Sequence, residues 1–444
     1  MNKKNHSGVY SNVPKFRCAY LLFFNPMNRS FFFIILTFIF FAIDWYVWQA
    51  VRTLIRSSTP TTQRWVTGAY WGFSILTLGA YIIVQLMPPD YFSKTVRNFV
   101  FAGIAIPYLS KLFAVLFLLV DDIRRLFQWI ISQFVPSVAP APADPAARRI
   151  PRSEFLSTTA LIAGGGLLGT FDYGILSGAH DYRIRRVKVV LKNLPREFDG
   201  IRIAQLSDIH SGSFFNKTAV KGGVEMLLKE KPDIAFFTGD LVNDRAYEVK
   251  DYIDIFSKVK APLGVHSIFG NHDYGDYQPF ENPAAKRKNL EDLAAAHKEM
   301  GWNLMLDENR PIRVNGAEIG LIGIQNWGAG GFAKYGDLAK AYQGAEDYPV
   351  KILLSHDPSH WQAQVRPNFK DIDLAFAGHT HGMQFGVELP GFRWSPVQYR
   401  YQQWAGLYTE ENQHLYVNRG FGYLGYPGRV GILPEITILE LVRG

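Results

Sequence analysis

Gly264-Val265-His266-Ser267-Ile268-Phe269-Gly270-Asn271-His272-Asp273 is a largely apolar run that stops at a glycine and delivers an amide, an imidazole and a carboxylate into a turn. A short run bounded by glycines reads as a buried strand ending in a tight turn. Asn271 offers a neutral oxygen ligand, and His272 can move a proton near neutral pH. Four other stretches between Ile201 and Gly382 have the same form.

Ile201 to Leu206 ends in Ser207-Asp208-Ile209-His210. Strand alternation would set Asp208 and His210 on one side, within reach of one ion. Ile234 to Phe237 ends in Thr238-Gly239-Asp240, Leu353-Leu354 runs into Ser355-His356, and Phe376-Ala377 runs into Gly378-His379-Thr380-His381-Gly382. Every candidate sits where a buried strand stops, the edge at which layered α/β folds bind ligands. A lone Asp-x-His also describes a polar strand end facing water, and a lone Gly-Asp describes a turn. Gly-His-Thr-His is more specific, because two buried imidazoles require partners. The five stretches, taken in order, read as a two-metal hydrolytic centre.

From Tyr182 onward, strand-like runs alternate with helical stretches such as Thr218–Lys229 and Asn289–Met300, the pattern of an α/β layered domain. Upstream, three apolar runs, Phe31 to about Val51, Trp65 to Met87 and Phe99 to Val120, are each long enough to cross about 30 Å of hydrocarbon as helices. Asp44 and Lys111 are the ionisable residues inside them, and the simplest reading is that they pair with each other or lie near a membrane surface. Residues 136–151 form a Pro/Ala-rich linker. Arg152-Ser153-Glu154-Phe155-Leu156 and the uncharged run after it read as a fourth membrane helix or as a degenerate twin-arginine signal. The expected divisions are thus 1–135, a membrane region; 136–181, linker and fourth apolar helix; and 182–444, the globular domain.

The net charge is +8, but the basic residues flank apolar runs rather than forming a stripe, so no nucleic-acid partner is expected. Arg52, Arg56 and Arg64 between runs one and two, and Arg124, Arg125, Arg148, Arg149 and Arg152 before run four, favour a cytoplasmic side for those loops. That places the globular domain outside the cytoplasm; the basic N-terminus argues the other way. The single cysteine, Cys18, excludes an intrachain disulfide.

The five motifs together resemble the calcineurin-like metallophosphoesterases, and within them the bacterial membrane-associated subfamily of YkuE- and YaeI-type phosphodiesterases. The resemblance covers residues 185–443, including Asn418-Arg419-Gly420-Phe421-Gly422 and the last strand. Met383 departs from it, since the pattern there repeats glycine. The resemblance implies a four-layer sandwich of two mixed sheets flanked by helices. It implies that Asp208, His210 and His381 hold one metal, that Asn271, His356 and His379 hold a second, and that Asp240 bridges both. His272 would donate a proton to the leaving oxygen, with Asp273 orienting it. Oxygen and nitrogen ligands without thiolate suit two Mn, Fe or Zn ions. The implied activity is hydrolysis of a phosphodiester or pyrophosphate, with a lipid-linked or envelope substrate such as a UDP-diacylglucosamine-like glycolipid. A phosphomonoesterase or nucleotidase on the same residues, and a non-catalytic membrane receptor, remain the alternatives. Asn243 and Arg245 are read either as substrate contacts or as a solvated loop. The aromatic residues Trp394, Tyr399, Tyr401 and Trp404 are read as a pocket lining, a membrane-surface cluster or plain core. His266, His297, His360 and His414 are read as non-ligands, His360 and His414 in surface-like segments.

Overall fold

The computed structural model describes residues 26–87, 91–92, 94–134 and 152–444. Cys18 and the Pro/Ala-rich segment 136–151 lie outside the described residues. The chain divides into two compact units, Met1–Leu86 with Gly103–Leu167, and Met87–Ala102 with Leu168–Gly444.

Among the described residues, four long helices run through the N-terminal part: α1 (Pro26–Ile55), α2 (Pro60–Leu86), α3 (Lys94–Phe134) and α4 (Arg152–Leu176). They supply four segments long and apolar enough to cross a bilayer, Phe33–Ile55, Pro60–Leu86, Val96–Phe134 and Glu154–His180, the last running past the end of α4. Proline opens α2 at the position where its missing N–H costs nothing, and Thr59 Oγ1 accepts from the Thr62 amide at 3.3 Å. In the first unit the usual arrangement is inverted. Phe38, Leu76 and Leu116 face outward, while Asp44 is buried. That is the order expected where the solvent is lipid. Asp44 forms an ion pair with Lys111 and accepts from Ser74 Oγ at 3.0 Å and from the Tyr108 hydroxyl at 2.8 Å. Tyr70 donates to the Asp44 carbonyl at 2.8 Å. Both carboxylate oxygens of Asp44 and its carbonyl therefore have a donor.

The second unit is a layered sandwich. Its strands are, in chain order, β1 (Arg183–Leu191), β2 (Arg202–Leu206), β3 (Ile234–Phe237), β4 (Val265–Ser267), β5 (Asn303–Leu304), β6 (Glu308–Val314), β7 (Ala317–Gly323), β8 (Lys351–Leu354), β9 (Leu374–Ala377), β10 (Val387–Leu389), β11 (Phe392–Trp394), β12 (Gly406–Glu410), β13 (Gln413–Val417) and β14 (Glu435–Arg443). One six-stranded sheet has the order β1-β14-β2-β3-β4-β5, the other β12-β13-β9-β8-β7-β6, and β10-β11 is a separate ribbon. Both large sheets are mixed: β2, β3 and β4 run parallel, as do β8 and β9, while β14 is antiparallel to β2 and β6 to β7.

The central strands β3, β8 and β9 are buried on both faces, which explains why they read as continuous apolar runs rather than alternations. Ile203, Phe236, Leu321, Ile352, Phe376 and Leu439 fill the space between the sheets, with Phe236 and Phe376 edge-to-face at 5.2 Å. Outside one sheet, Val220, Val224 and Leu227 of helix α5 (Lys217–Lys229) pack with Phe237 and Phe256. Outside the other, Leu338, Ala341 and Trp361 pack on Leu353 and Ala375. The result is four layers, helix, sheet, sheet and helix. Gln205, fully buried on β2, donates from one amide nitrogen to Thr238 Oγ1 and to the Ala377 carbonyl, both at 2.9 Å. It joins the two sheets at the edge where the chemistry-bearing loops begin.

Candidate metal centre

The C-terminal ends of β2, β3, β4, β8 and β9 each release one loop, and those loops carry the residues singled out above. Strand alternation does not aim them. β2 stops at Leu206, and Asp208 and His210 lie beyond it with φ of 52° and 49°. Asp240, His379 and His381 share that left-handed region, at 62°, 69° and 50°. Each such non-glycine residue costs roughly 1–3 kcal/mol, and strain of this kind gathers where the surrounding fold over-determines a functional geometry. Glycines permit the close approach. A Cβ on Gly378 would strike Ser207 Oγ and Asp208 Oδ2, and one on Gly270 would strike Asp240 Oδ1.

Asp208, His210 and His381 form one group whose candidate ligand atoms all lie within 4.8 Å of one another; Asp240, His356 and His379 form a second on the same criterion. Asn271 joins the second group, with Oδ1 3.1 Å from His356 Nε2 and 2.8 Å from His379 Nδ1. Asp240 Oδ2 is 3.1 Å from His356 Nε2 and 3.5 Å from His210 Nε2, so one carboxylate oxygen faces both groups.

Contacts behind these atoms fix their orientation. His210 Nδ1 is 3.1 Å from Asn243 Oδ1, and His356 Nδ1 is 2.7 Å from the Thr238 carbonyl. The Asn271 amide nitrogen donates to the Tyr277 hydroxyl at 2.7 Å, which turns its oxygen inward. His379 Nε2 lies 2.8 Å from the Tyr401 hydroxyl and 3.5 Å from Asp357 Oδ2. His381 Nδ1 faces the buried guanidinium of Arg429 at 3.1 Å. Such outer partners hold an imidazole's plane and tautomer. Asn243 thus holds His210, whereas Arg245 turns away, stacked on Phe280 at 3.6 Å and donating to the Pro279 carbonyl.

Burial favours the neutral form of three of the four imidazoles and opposes ionisation of Asp208. Burial lowers His210 to about 3 and His379 to about 4, and it holds His381 well below the ordinary range. Burial would lower His356 as well, but the Asp240 carboxylate overrides it and raises the ring to about 10. Burial raises Asp208 to about 6. The buried His210 Nε2, His381 Nε2 and Asp357 Oδ2 have no hydrogen-bond partner. Buried ring nitrogens and a carboxylate oxygen left without partners, in a mixed oxygen and nitrogen donor set, fit a site for divalent metal ions.

His272 is half-buried beside these groups, its ring centroid 5.0 Å from that of His210. Its amide donates to Asp240 Oδ1 at 2.8 Å, and its Nδ1 is 2.8 Å from the Asn243 carbonyl. A carbonyl only accepts, so Nδ1 carries the proton and Nε2 is the free atom. The expected orientation of His272 by Asp273 is therefore corrected: Asn243 does it. Asp273 instead accepts from the amides of Asp240, Leu241 and Gly270 at 2.8 Å and of Val242 at 3.3 Å. It is a fully buried clasp between two of the loops.

Among the remaining histidines, His266, His297, His360 and His414 lie outside both groups. His360 is fully buried rather than surface-like, bonded to Ser355 and Gln364, and His297 is fully buried against Ser267. The sequence reading missed Asp357 and Tyr401 as partners of His379. Asp357 directly follows His356, and an acidic residue adjoining a candidate ligand was the available signal.

Residues 201–383 match the family model described as calcineurin-like phosphoesterase, and residues 28–179 match that described as probable calcineurin-like phosphoesterase, transmembrane domain. The chain is 29% identical over 294 residues to the uncharacterized metallophosphoesterase YkuE of Bacillus subtilis, covering 64% of this chain and 93% of that protein. It is 27% identical over 242 residues to the phosphodiesterase YaeI of Escherichia coli, covering 54% of this chain and 82% of that protein. A transmembrane protein with metallophosphoesterase domain from Danio rerio is 29% identical over 276 residues, covering 61% of this chain and 59% of that protein.

Proposed function

We propose that this membrane-anchored calcineurin-like phosphoesterase hydrolyses phosphodiester or pyrophosphate bonds at a binuclear centre. The observation that carries the reading is the single oxygen, Asp240 Oδ2, facing both ligand groups. Asp208, His210 and His381 would hold one ion and Asn271, His356 and His379 the other, with Asp240 shared. Mn, Fe or Zn suit this donor set. Two such cations supply Lewis-acid polarisation of a phosphoryl group and a water acidic enough to ionise near neutral pH.

The chain's own residues do the rest. The Asn243 carbonyl accepts from His272 Nδ1–H, which leaves Nε2 as the atom available to the substrate. Once protonated, Nε2 gives its proton to the departing oxygen. Asp273 clasps the Asp240 and Gly270 loops, so that Asp240 and His272 keep their spacing. The Tyr401 hydroxyl holds His379, and the Asp357 carboxylate faces the same ring nitrogen at 3.5 Å.

The membrane helices and the YkuE- and YaeI-type resemblance support a lipid-linked or envelope substrate, with a UDP-diacylglucosamine-like glycolipid as one form. Loop charge at Arg52, Arg56 and Arg64 supports an extracytoplasmic catalytic domain, which favours an envelope-side substrate over that glycolipid. The test is turnover of bis-p-nitrophenyl phosphate against p-nitrophenyl phosphate by the purified full chain. Faster diester turnover is expected; a clear monoester preference would replace the reading by a phosphomonoesterase.

A further inference from the structure

We infer that the apolar face of the β10–β11 hairpin sits in the lipid interface beside the end of α4, and that the centre therefore acts on phosphate esters held in the membrane surface. The first clause stands on the fold alone; the second rests on the phosphoesterase reading.

In the hairpin, Val387 is opposite Trp394, Glu388 opposite Arg393, and Leu389 opposite Phe392. Period-two alternation puts Val387, Leu389, Phe392 and Trp394 on one face and the charged pair on the other. The charged face is bound to the domain. Glu388 accepts from Arg419 at 2.8 Å and from Arg185 at 2.7 Å, while Arg393 donates to the Ala405 carbonyl and, at 3.2 Å, to the Tyr408 hydroxyl. The apolar face is bare: Val387, Leu389 and Phe392 are 43%, 61% and 56% exposed. A hairpin in water would be built the other way round. Trp394 and the exposed Tyr399, whose polar atoms meet at 3.4 Å, add the amphipathic rings that favour the headgroup region.

The occupant follows from where α4 meets the same unit. Phe171 stacks on Phe385 at 5.5 Å, and Tyr426 donates to the Phe171 carbonyl. The Arg429 amide donates to the Gly174 carbonyl at 3.1 Å, and a Cβ on Gly178 would strike the Arg429 carbonyl. Phe171 lies inside the candidate span Glu154–His180. Phe385 therefore sits at the depth of the last part of that span. β10 begins two residues later, and two extended residues advance only about 7 Å. Phe99, in the first turns of α3, meets Phe215 edge-on at 5.0 Å. By alternation of the spans, α3 starts on the side where α4 ends, so both contacts mark one membrane face. Arg429 links the two: its amide holds α4 and its guanidinium faces His381, so one residue bridges the helix and the centre.

The experiment uses the full chain with Cys18→Ser in phosphatidylcholine nanodiscs. Single cysteines at Leu389→Cys, Phe392→Cys and Glu411→Cys carry an environment-sensitive dye, with Glu411 marking the turn after β12, at the far end of that strand from the Ala405 carbonyl that Arg393 contacts. Nitroxide-bearing lipid should quench the dye at 389 and 392 and leave that at 411 unchanged; equal signals at all three overturn the proposal. In parallel, Leu389→Asp with Phe392→Asp should lower hydrolysis of a chromogenic phosphodiester anchored on diacylglycerol in vesicles by about tenfold, with bis-p-nitrophenyl phosphate turnover unchanged. An equal loss on both substrates, or quenching at 389 and 392 that appears only with a bound protein partner, overturns it. Quenching at 389 and 392 with no turnover of either substrate by the parent chain would refute the phosphodiesterase reading while upholding the hairpin's seat.

Discussion

Asp240 Oδ2 lies 3.1 Å from His356 Nε2, at the end of a strand in one sheet facing the end of a strand in the other. The fold brings these two strand ends together, and the same oxygen is 3.5 Å from His210 Nε2. Asp240→Asn removes the one charge common to both groups. We expect both ions to be weakened and turnover to fall by about three orders of magnitude, on the scale of losing a principal electrostatic stabiliser. Metal analysis and kinetics on the same preparation check this; loss of one ion only would show that Asp240 serves a single group.

His272 contacts the two groups through its amide, while its ring is held from behind by Asn243. His272→Gln should cost about 10²–10⁴ in turnover, the range for a general acid, with bound metal unchanged. Unaltered kcat on a diester with a poor leaving group would remove the proton-donor role.

Asp273 predicts a different signature. Its carboxylate accepts from four amides in two loops, so Asp273→Ala leaves buried donors without an acceptor. Each orphaned donor costs about 1–3 kcal/mol. The thermal midpoint should fall by several degrees, about 2–4 °C per kcal/mol for a domain of this size, with metal affinity falling alongside. A variant as stable as the parent but slow would mean that Asp273 acts in the chemistry after all.

These contrasts show how far the sequence could be read. Strand ends were legible because the central strands are buried on both faces and carry unbroken apolar runs into Asp240, His356 and His379. The grouping of residues distant in sequence was legible only through the family resemblance that the five motifs carry. The mode of presentation was not: nothing local announces that Asp208, His210 and His381 adopt left-handed backbone, since that conformation is imposed by tertiary contacts. Asp273 was misread because adjacency to His272 suggested a pair, whereas its bonds run to Asp240 and Leu241 in another loop. The half-exposed strands were also obscure. β6 carries Asn309, Arg310 and Arg313 among its apolar residues, and β10–β11 is three residues a side with a Pro-Gly turn.

In the membrane region, Asp44 and Lys111 should stand or fall together. Asp44→Asn or Lys111→Met alone leaves one buried charge uncompensated, at about 3–5 kcal/mol, and should lower the yield of folded protein in detergent. Exchanging the pair, Asp44→Lys with Lys111→Asp, should recover part of it. Single variants indistinguishable from the parent by detergent thermal melt would mean that water reaches the pair.

The most direct test of the binuclear centre is the metal content of the purified full chain by mass spectrometry, beside that of Asp208→Ala and Asn271→Ala. The account predicts two divalent transition-metal ions per chain in the parent and about one in each variant, because each substitution strips a different group. A parent chain that holds no transition metal, or whose content neither substitution changes, would contradict it.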